Sequence, residues 1–154
     1  MLQQLRLFLT AVQFFTRLPV PAWVGHSAQQ LDQSARFFPA VGLLVGAIAA
    51  AVLWLASLAL PIAPAVALSM VASILVTGAF HEDGLSDFVD GMGGGYTPEK
   101  ILAIMKDSHT GAYGVIALVL ALLGKYQLLL ALCNTHSLLM VSAVLLSAHV
   151  LSRL

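Results

Sequence analysis

The sequence predicts an all-α membrane protein, a polytopic bundle with about four transmembrane spans and additional interfacial helices. Of its 154 residues, 60% are hydrophobic and only 9% are charged. Soluble domains carry about 25% charged residues, and a small soluble fold leaves too much surface exposed to hide so many apolar side chains. Residues 37–80 contain no charged residue. We therefore expect a lipid bilayer around the chain, and the balanced formal charge argues against nucleic acid as a partner.

Four apolar segments account for the predicted spans. A helix needs about 20 apolar residues to cross the hydrocarbon core. The first pair of segments is expected to be joined by a proline-rich turn at 61–64, and the second pair by a polar turn at 134–137. The four segments are residues 41–60, 66–80, 113–131 and 138–151.

The distribution of Lys and Arg predicts the orientation. Four crossings place six basic residues on one side, and basic residues accumulate in cytoplasmic loops. These residues are Arg6, Arg17, Arg36, Lys100, Lys106 and Arg153. We expect a single membrane-embedded domain, 1–154, with an N-terminal interfacial segment, 1–36, and a cytoplasmic active-site segment, 81–112. An amphipathic or re-entrant helix at the membrane interface is expected within 7–15.

Acidic residues are concentrated between two spans. Six of the seven acids lie within residues 82–107. In a helix, Asp83, Asp87 and Asp90 have the spacing i, i+4, i+7 and project from one face. Three neighbouring carboxylates repel one another unless a cation lies between them, and Mg²⁺ accepts carboxylate oxygens, water and substrate phosphates. These three residues are the predicted metal ligands, although a merely solvated acidic loop is the alternative.

A glycine-rich run follows the acids at 91–95. Glycine permits left-handed backbone angles and lets a phosphate or ribose approach main-chain N–H groups. Gly93, Gly94 and Gly95 are therefore candidate substrate-binding residues, with a flexible connector as the alternative. The run is not a nucleotide-binding P-loop, because no Gly-Lys-Ser/Thr follows it. Thr97 and Pro98 then predict the start of a helix that runs to Lys106 and Asp107.

Two further residues have alternative interpretations. His81 is either a hydrogen-bonded histidine at the interface or a catalytic base. Lys125, inside the third predicted span, is interpreted as a residue that faces the bundle or snorkels to the surface.

Several motifs resemble the cobalamin synthase family, also called adenosylcobinamide-GDP ribazoletransferase. The central string is GAFHEDGLSDFVDG at 78–91, and a second string is IMKDSHTGAYG at 104–114. Shorter similar strings are FTRLPVP at 15–21 and FPAVG at 38–42. The resemblance extends over the whole chain, whereas family members normally continue into further transmembrane segments. We therefore expect the chain to correspond to an N-terminal portion of a longer member.

The resemblance implies a multi-pass enzyme of the bacterial inner membrane, active at its cytoplasmic face. It would join α-ribazole, or α-ribazole 5′-phosphate, to adenosylcobinamide-GDP and release GMP, with Mg²⁺ required, late in cobalamin biosynthesis. Either a homo-oligomer or association with other cobalamin-assembly enzymes is expected. The implied catalytic residues are His81, Asp83, Asp87, Lys106 and Asp107. The implied substrate-binding residues are Arg17, Gly93, Gly94, Gly95 and Ser108.

Two other functions fit the same residues. One is a different Mg²⁺-dependent membrane transferase that acts on phosphoalcohols or prenyl diphosphates. The other is a cation-binding transporter module, but transporters place acids near the bilayer midplane within broken helices. Here six of the seven acids lie in one segment between spans, which favours the transferase.

Overall fold

A computed structural model describes residues 2–154, and this part of the chain contains helices and no strand, which confirms the all-α fold class. Two short 3-10 turns, Ala22–Val24 and Ala35–Phe37, flank the second helix. The helices are α1 (Leu2–Phe15), α2 (Ala28–Ser34), α3 (Phe38–Ser57), α4 (Ile62–Thr77), α5 (Phe80–Gly94), α6 (Pro98–Met105), α7 (Ala112–Thr135) and α8 (Leu138–Leu151).

The four predicted apolar segments correspond to α3, α4, α7 and α8. By length and composition, two helical stretches can cross a membrane, Ala28–Ser57 and Ala112–Thr135. A third span is added if α4 and α5 together form one broken span. The predicted count of four is therefore approximate, because α4 and α8, with 16 and 14 residues, are shorter than the ~20 residues of a typical span.

Both predicted turns are shorter than the sequence suggested. α4 already begins at Ile62, so Pro64 lies in its first turn, where a missing N–H is tolerated. α7 likewise continues through Asn134 and Thr135. Ser137 then caps α8 by accepting a hydrogen bond from the backbone N–H of Met140, at 3.4 Å.

The described chain divides into two compact units. The first contains the residues up to Gly78 together with Leu129–Leu154, and the second is Ala79–Leu128. The single-domain organisation expected from the sequence stays a prediction.

In the first unit α3 packs against both α4 and α8. Gly42 and Gly46 of α3 allow this close approach, because a Cβ atom at Gly42 would overlap the backbone carbonyl of His149. Ser69 Oγ of α4 donates to the carbonyl of Ala49 at 2.7 Å, which satisfies a buried hydroxyl between the helices.

The N-terminal segment forms the helix predicted within 7–15, extended back to Leu2. Ala11, Val12 and Phe15 of α1 are buried against Val41 and Val45 of α3. α1 therefore packs on α3 through one apolar face, and its location at a membrane interface stays a prediction.

Candidate functional site

The acidic segment forms helix α5, as its spacing predicted. Glu82 and Asp83 occupy its first turn, where negative charge is favoured by the helix dipole. Along the shared face, Asp83 is exposed, Asp87 is half-buried and Asp90 is buried. The acidic face therefore runs from solvent into the interior of the second unit.

Asp90 binds the start of α7. Its Oδ2 accepts a hydrogen bond from the backbone N–H of Gly111 at 2.7 Å, and its Oδ1 accepts one from Gly114 at 2.9 Å. The first N–H groups of a helix have no partner within that helix, and a carboxylate is a favourable cap for them. Asp90 is thus an N-cap supplied by another helix.

Two glycines make this contact feasible. A Cβ atom at Gly111 would collide with the Asp90 carboxylate, and one at Gly114 would collide with both Asp90 and Ser86 Oγ. The Ser86 hydroxyl is buried and has no hydrogen-bond partner among the described residues. Residues larger than glycine would therefore disturb this junction.

Asp83 and Asp87 are free, in contrast to Asp90. Their carboxylates make no hydrogen bond or ion pair with any residue from 2 to 154. Within that range, no group of three or more His, Cys, Asp or Glu side chains is arranged to hold a metal ion. The predicted three-carboxylate cluster is not formed, because Asp90 is directed at α7. Metal binding by these aspartates stays a prediction.

The glycine run is mostly helical. Residues 91–94 are the last turn of α5, and the described glycines with positive φ are Gly25 and Gly78 alone. The run therefore does not adopt the left-handed backbone angles that glycine permits.

Tight packing explains Gly93 and Gly95 instead. A Cβ at Gly93 would lie 2.7 Å from the ring of Tyr113, and one at Gly95 would lie 2.8 Å from the carbonyl of Gly91. A Cβ at Gly94 would lie 3.3 Å from Ile104 Cδ1. Substrate binding by Gly93, Gly94 and Gly95 stays a prediction.

The second motif forms α6 and an exposed loop. Thr97 caps α6 by accepting the N–H of Lys100 at 3.3 Å, and Pro98 is its first residue, as predicted. Lys106 ends the helix, and residues 106–110 are all exposed. Among them are the predicted site residues Lys106, Asp107 and Ser108.

Asp107 is paired with His109. Asp107 Oδ1 lies 2.6 Å from His109 Nδ1 and accepts the His109 backbone N–H at 3.1 Å. The side-chain hydrogen bond is the main cause that lowers the pKa of Asp107 and raises the pKa of His109. The two residues form an exposed, mutually oriented acid–base pair.

His81 lies away from the acidic face. It precedes Asp83 by two residues, which is about 200° around a helix. With Glu82 and Leu85 it lines a small cavity between α5 and α7, which Lys125 also lines. Sequence reasoning missed this cavity, because the pairing of α5 with α7 cannot be read from local spacing.

Arg17 belongs to the first unit. Its backbone N–H donates to the carbonyl of Val76 at 2.7 Å, and its side chain lies against Gly78. Gly78 ends α4 in the left-handed conformation, with φ 65°. Arg17 thus places its cation at the C-terminus of α4, where positive charge is favoured. Its binding of substrate stays a prediction.

Comparison with known proteins gives a consistent result. The chain is 54% identical to the adenosylcobinamide-GDP ribazoletransferase of Shewanella frigidimarina over 99% of its own length and 58% of the relative. It is 55% identical to the enzyme of the same name from Ralstonia nicotianae, over 93% of the chain and 55% of the relative. It thus spans little more than half the length of these relatives. No solved structure matches the chain.

A model of the cobalamin-5-phosphate synthase family matches residues 7–154, which is nearly the whole chain. The chain therefore belongs to the cobalamin-5-phosphate synthase family.

Proposed function

We propose that the protein acts as an adenosylcobinamide-GDP ribazoletransferase. The substrates would be adenosylcobinamide-GDP and α-ribazole or its 5′-phosphate, and GMP would be released. The relatives named for this activity support the proposal, and so does family membership. The observation that carries it is the junction at Asp90, which ties the acidic face of α5 to the loop containing Lys106, Asp107 and His109.

Mg²⁺ is the proposed cofactor, held by Asp83 and Asp87. Mg²⁺ is usually bound through one or two carboxylates, with water and substrate phosphates completing its coordination. Two unengaged carboxylates one turn apart fit this requirement, whereas Asp90 already accepts two backbone hydrogen bonds. When bound, Mg²⁺ would supply neutralisation of the charge on the diphosphate.

The chain's own residues would then position the reactants. A ribazole oxygen attacks the phosphorus attached to cobinamide, the bond from that phosphorus to the GMP oxygen breaks, and GMP leaves with the electron pair. Lys106 is exposed and makes no ion pair within residues 2–154, so its ammonium is available to a phosphate. We assign the acceptance of the nucleophile's proton to His109, because Asp107 orients its ring.

His81 is the alternative proton acceptor. Its position about 200° around α5 from Asp83 favours His109 for that role. Ser108 lies between Asp107 and His109 and is exposed, so a substrate can reach its hydroxyl.

The same proposal includes location in the inner membrane with this site at the cytoplasmic face. The basic residues on the predicted loops support that orientation. Association with a second copy or with other cobalamin-assembly enzymes stays a prediction.

The test is product formation by the purified protein in lipid. Adenosylcobinamide-GDP and α-ribazole are supplied with Mg²⁺ or with EDTA, and cobalamin and GMP are measured by chromatography. We expect equal amounts of both products with Mg²⁺ and none with EDTA. A ribazoletransferase from Shewanella frigidimarina is the positive control, and absence of product while that control is active would overturn the proposal.

A further inference from the structure

A cavity of about 160 Å³ lies between α5 and α7, on a different side of α5 from the acidic face. Its apolar walls contain two side chains of opposite charge, Glu82 from α5 and Lys125 from α7. The lining residues are His81, Glu82, Leu85, Leu118, Ala121, Leu122 and Lys125.

Neither side chain has a hydrogen-bond or ion-pair partner among the described residues. Glu82 Oε2 is buried and has no hydrogen-bond partner among them. Lys125 makes no hydrogen bond or ion pair with any residue from 2 to 154. It is the fourteenth of 24 residues in α7 and the one charged residue of that helix. A charge in the middle of an apolar membrane helix is costly unless it is paired.

Both side chains line this one cavity. The flexible four-carbon stem of lysine lets its ammonium move across such a space. We infer that Glu82 and Lys125 form an ion pair across this cavity that fixes α5 along α7.

This pair complements the contact at Asp90. Glu82 precedes Asp90 by eight residues, which is about 12 Å along the helix. Asp83 and Asp87 lie between Glu82 and Asp90 in α5. The two contacts therefore fix the position of both carboxylates along the axis of α7. Glu82 and Lys125 are therefore positioning residues. Their effect on catalysis rests on the proposed function, whereas the ion pair itself does not.

The ion pair is tested by a double-mutant cycle on the purified protein in lipid nanodiscs. The variants are Glu82→Gln, Lys125→Met, the double variant, and the charge swap Glu82→Lys with Lys125→Glu. We expect each single variant to lower the thermal midpoint by about 3 °C or more, because one charge is left unpaired. The double variant and the swap should recover at least half of that loss. Additive losses, or a swap no better than the single variants, would overturn the inference.

Controls match the chemistry of each change. Glu99→Gln and Lys100→Met remove the same charges from exposed positions of α6 and should lower the midpoint by less than Glu82→Gln and Lys125→Met do. If a single variant does not fold at all, the charge swap still tests the ion pair. Restored pairing in the swap is expected to recover folded protein.

Product formation supplies a readout of positioning. We expect Glu82→Gln and Lys125→Met to lower kcat by about tenfold to 100-fold with KM within about twofold, since misplaced reactive groups lower the rate of the chemical step. The swap should restore kcat. If the thermal midpoints of the variants show coupling but the wild-type protein forms no product, the proposed function is refuted and the ion pair is supported. If the wild-type protein forms product but the midpoints show no coupling, the ion pair alone is refuted.

Discussion

The Asp90 carboxylate accepts the backbone N–H of Gly114 at 2.9 Å, across 24 positions of sequence. Its other oxygen accepts the N–H of Gly111 at 2.7 Å. A carboxylate at this place offsets the partial positive charge of the α7 N-terminus. The same contact fixes the end of the exposed loop 106–110 relative to α5, and it therefore links the two motifs of the proposed site.

Gly114→Ala tests this junction. The added Cβ would meet both Asp90 and Ser86 Oγ, and the expected result is a loss of about 1–3 kcal/mol of stability, as overpacking typically costs. Thermal unfolding in detergent measures it. Gly124→Ala is the matched control, because a Cβ there meets nothing within 4 Å and alanine favours helix. Equal midpoints for the two variants would show that the junction is looser than the hydrogen bonds indicate.

Asp90→Asn should lower the stability of the protein, whereas Asp87→Asn should lower the rate of product formation. Asn at 90 keeps the shape but loses the charge and one acceptor, so stability should fall by about 1–2 kcal/mol. Asp87 is unengaged, so Asp87→Asn should leave stability unchanged and lower the rate by at least about 100-fold.

The measurements that separate these two variants are thermal midpoints without Mg²⁺ and product formation against Mg²⁺ concentration. The assignment of Asp87 fails if Asp87→Asn turns over at the wild-type rate and with the wild-type Mg²⁺ dependence.

Local pattern was sufficient to predict most of the helices, although α2 was not predicted. The apolar segments matched α3, α4, α7 and α8, and the predicted cap at Thr97 depends on neighbouring residues. The spacing of Asp83, Asp87 and Asp90 also predicted their shared face. These features are local because helix formation depends on residues three or four positions apart.

Contacts between distant residues could not be predicted in the same way. The spacing of the aspartates did not show that Asp90 would meet Gly111, because that contact depends on how α5 packs against α7. The glycines at 91–95 suggested a phosphate loop, although the close approach of Tyr113 to Gly93 explains one of them. Glu82 and Lys125 are 43 positions apart, and no sequence period connects them.

The pair of Asp107 and His109 predicts a pH dependence. The pKa of His109 is raised above its ordinary 6.5, so its stabilising contribution is full below pH 6.5 and is lost as the pH rises through the raised value. The pKa of Asp107 is lowered from 3.8, so its contribution is present above pH 3.8 and is lost as the pH falls through the lowered value. NMR titration of the His109 ring should give a midpoint above 6.5, and Asp107→Asn should return it towards 6.5. Glu99→Gln is the control and should leave the midpoint in place; an unchanged midpoint in Asp107→Asn would contradict the pair.

Gly42→Ala tests the packing of α3 on α8. Its Cβ would overlap the backbone carbonyl of His149, and a backbone cannot rotate away as a side chain can. The helices must therefore separate, and stability should fall by about 2–4 kcal/mol, more than for Gly114→Ala, where side-chain atoms are displaced. Thermal midpoints of the two variants in the same detergent, with Gly124→Ala as the reference, measure the order. Small residues allow membrane helices to approach each other closely. If Gly42→Ala and Gly124→Ala have equal thermal midpoints, α3 and α8 are farther apart than the structure places them.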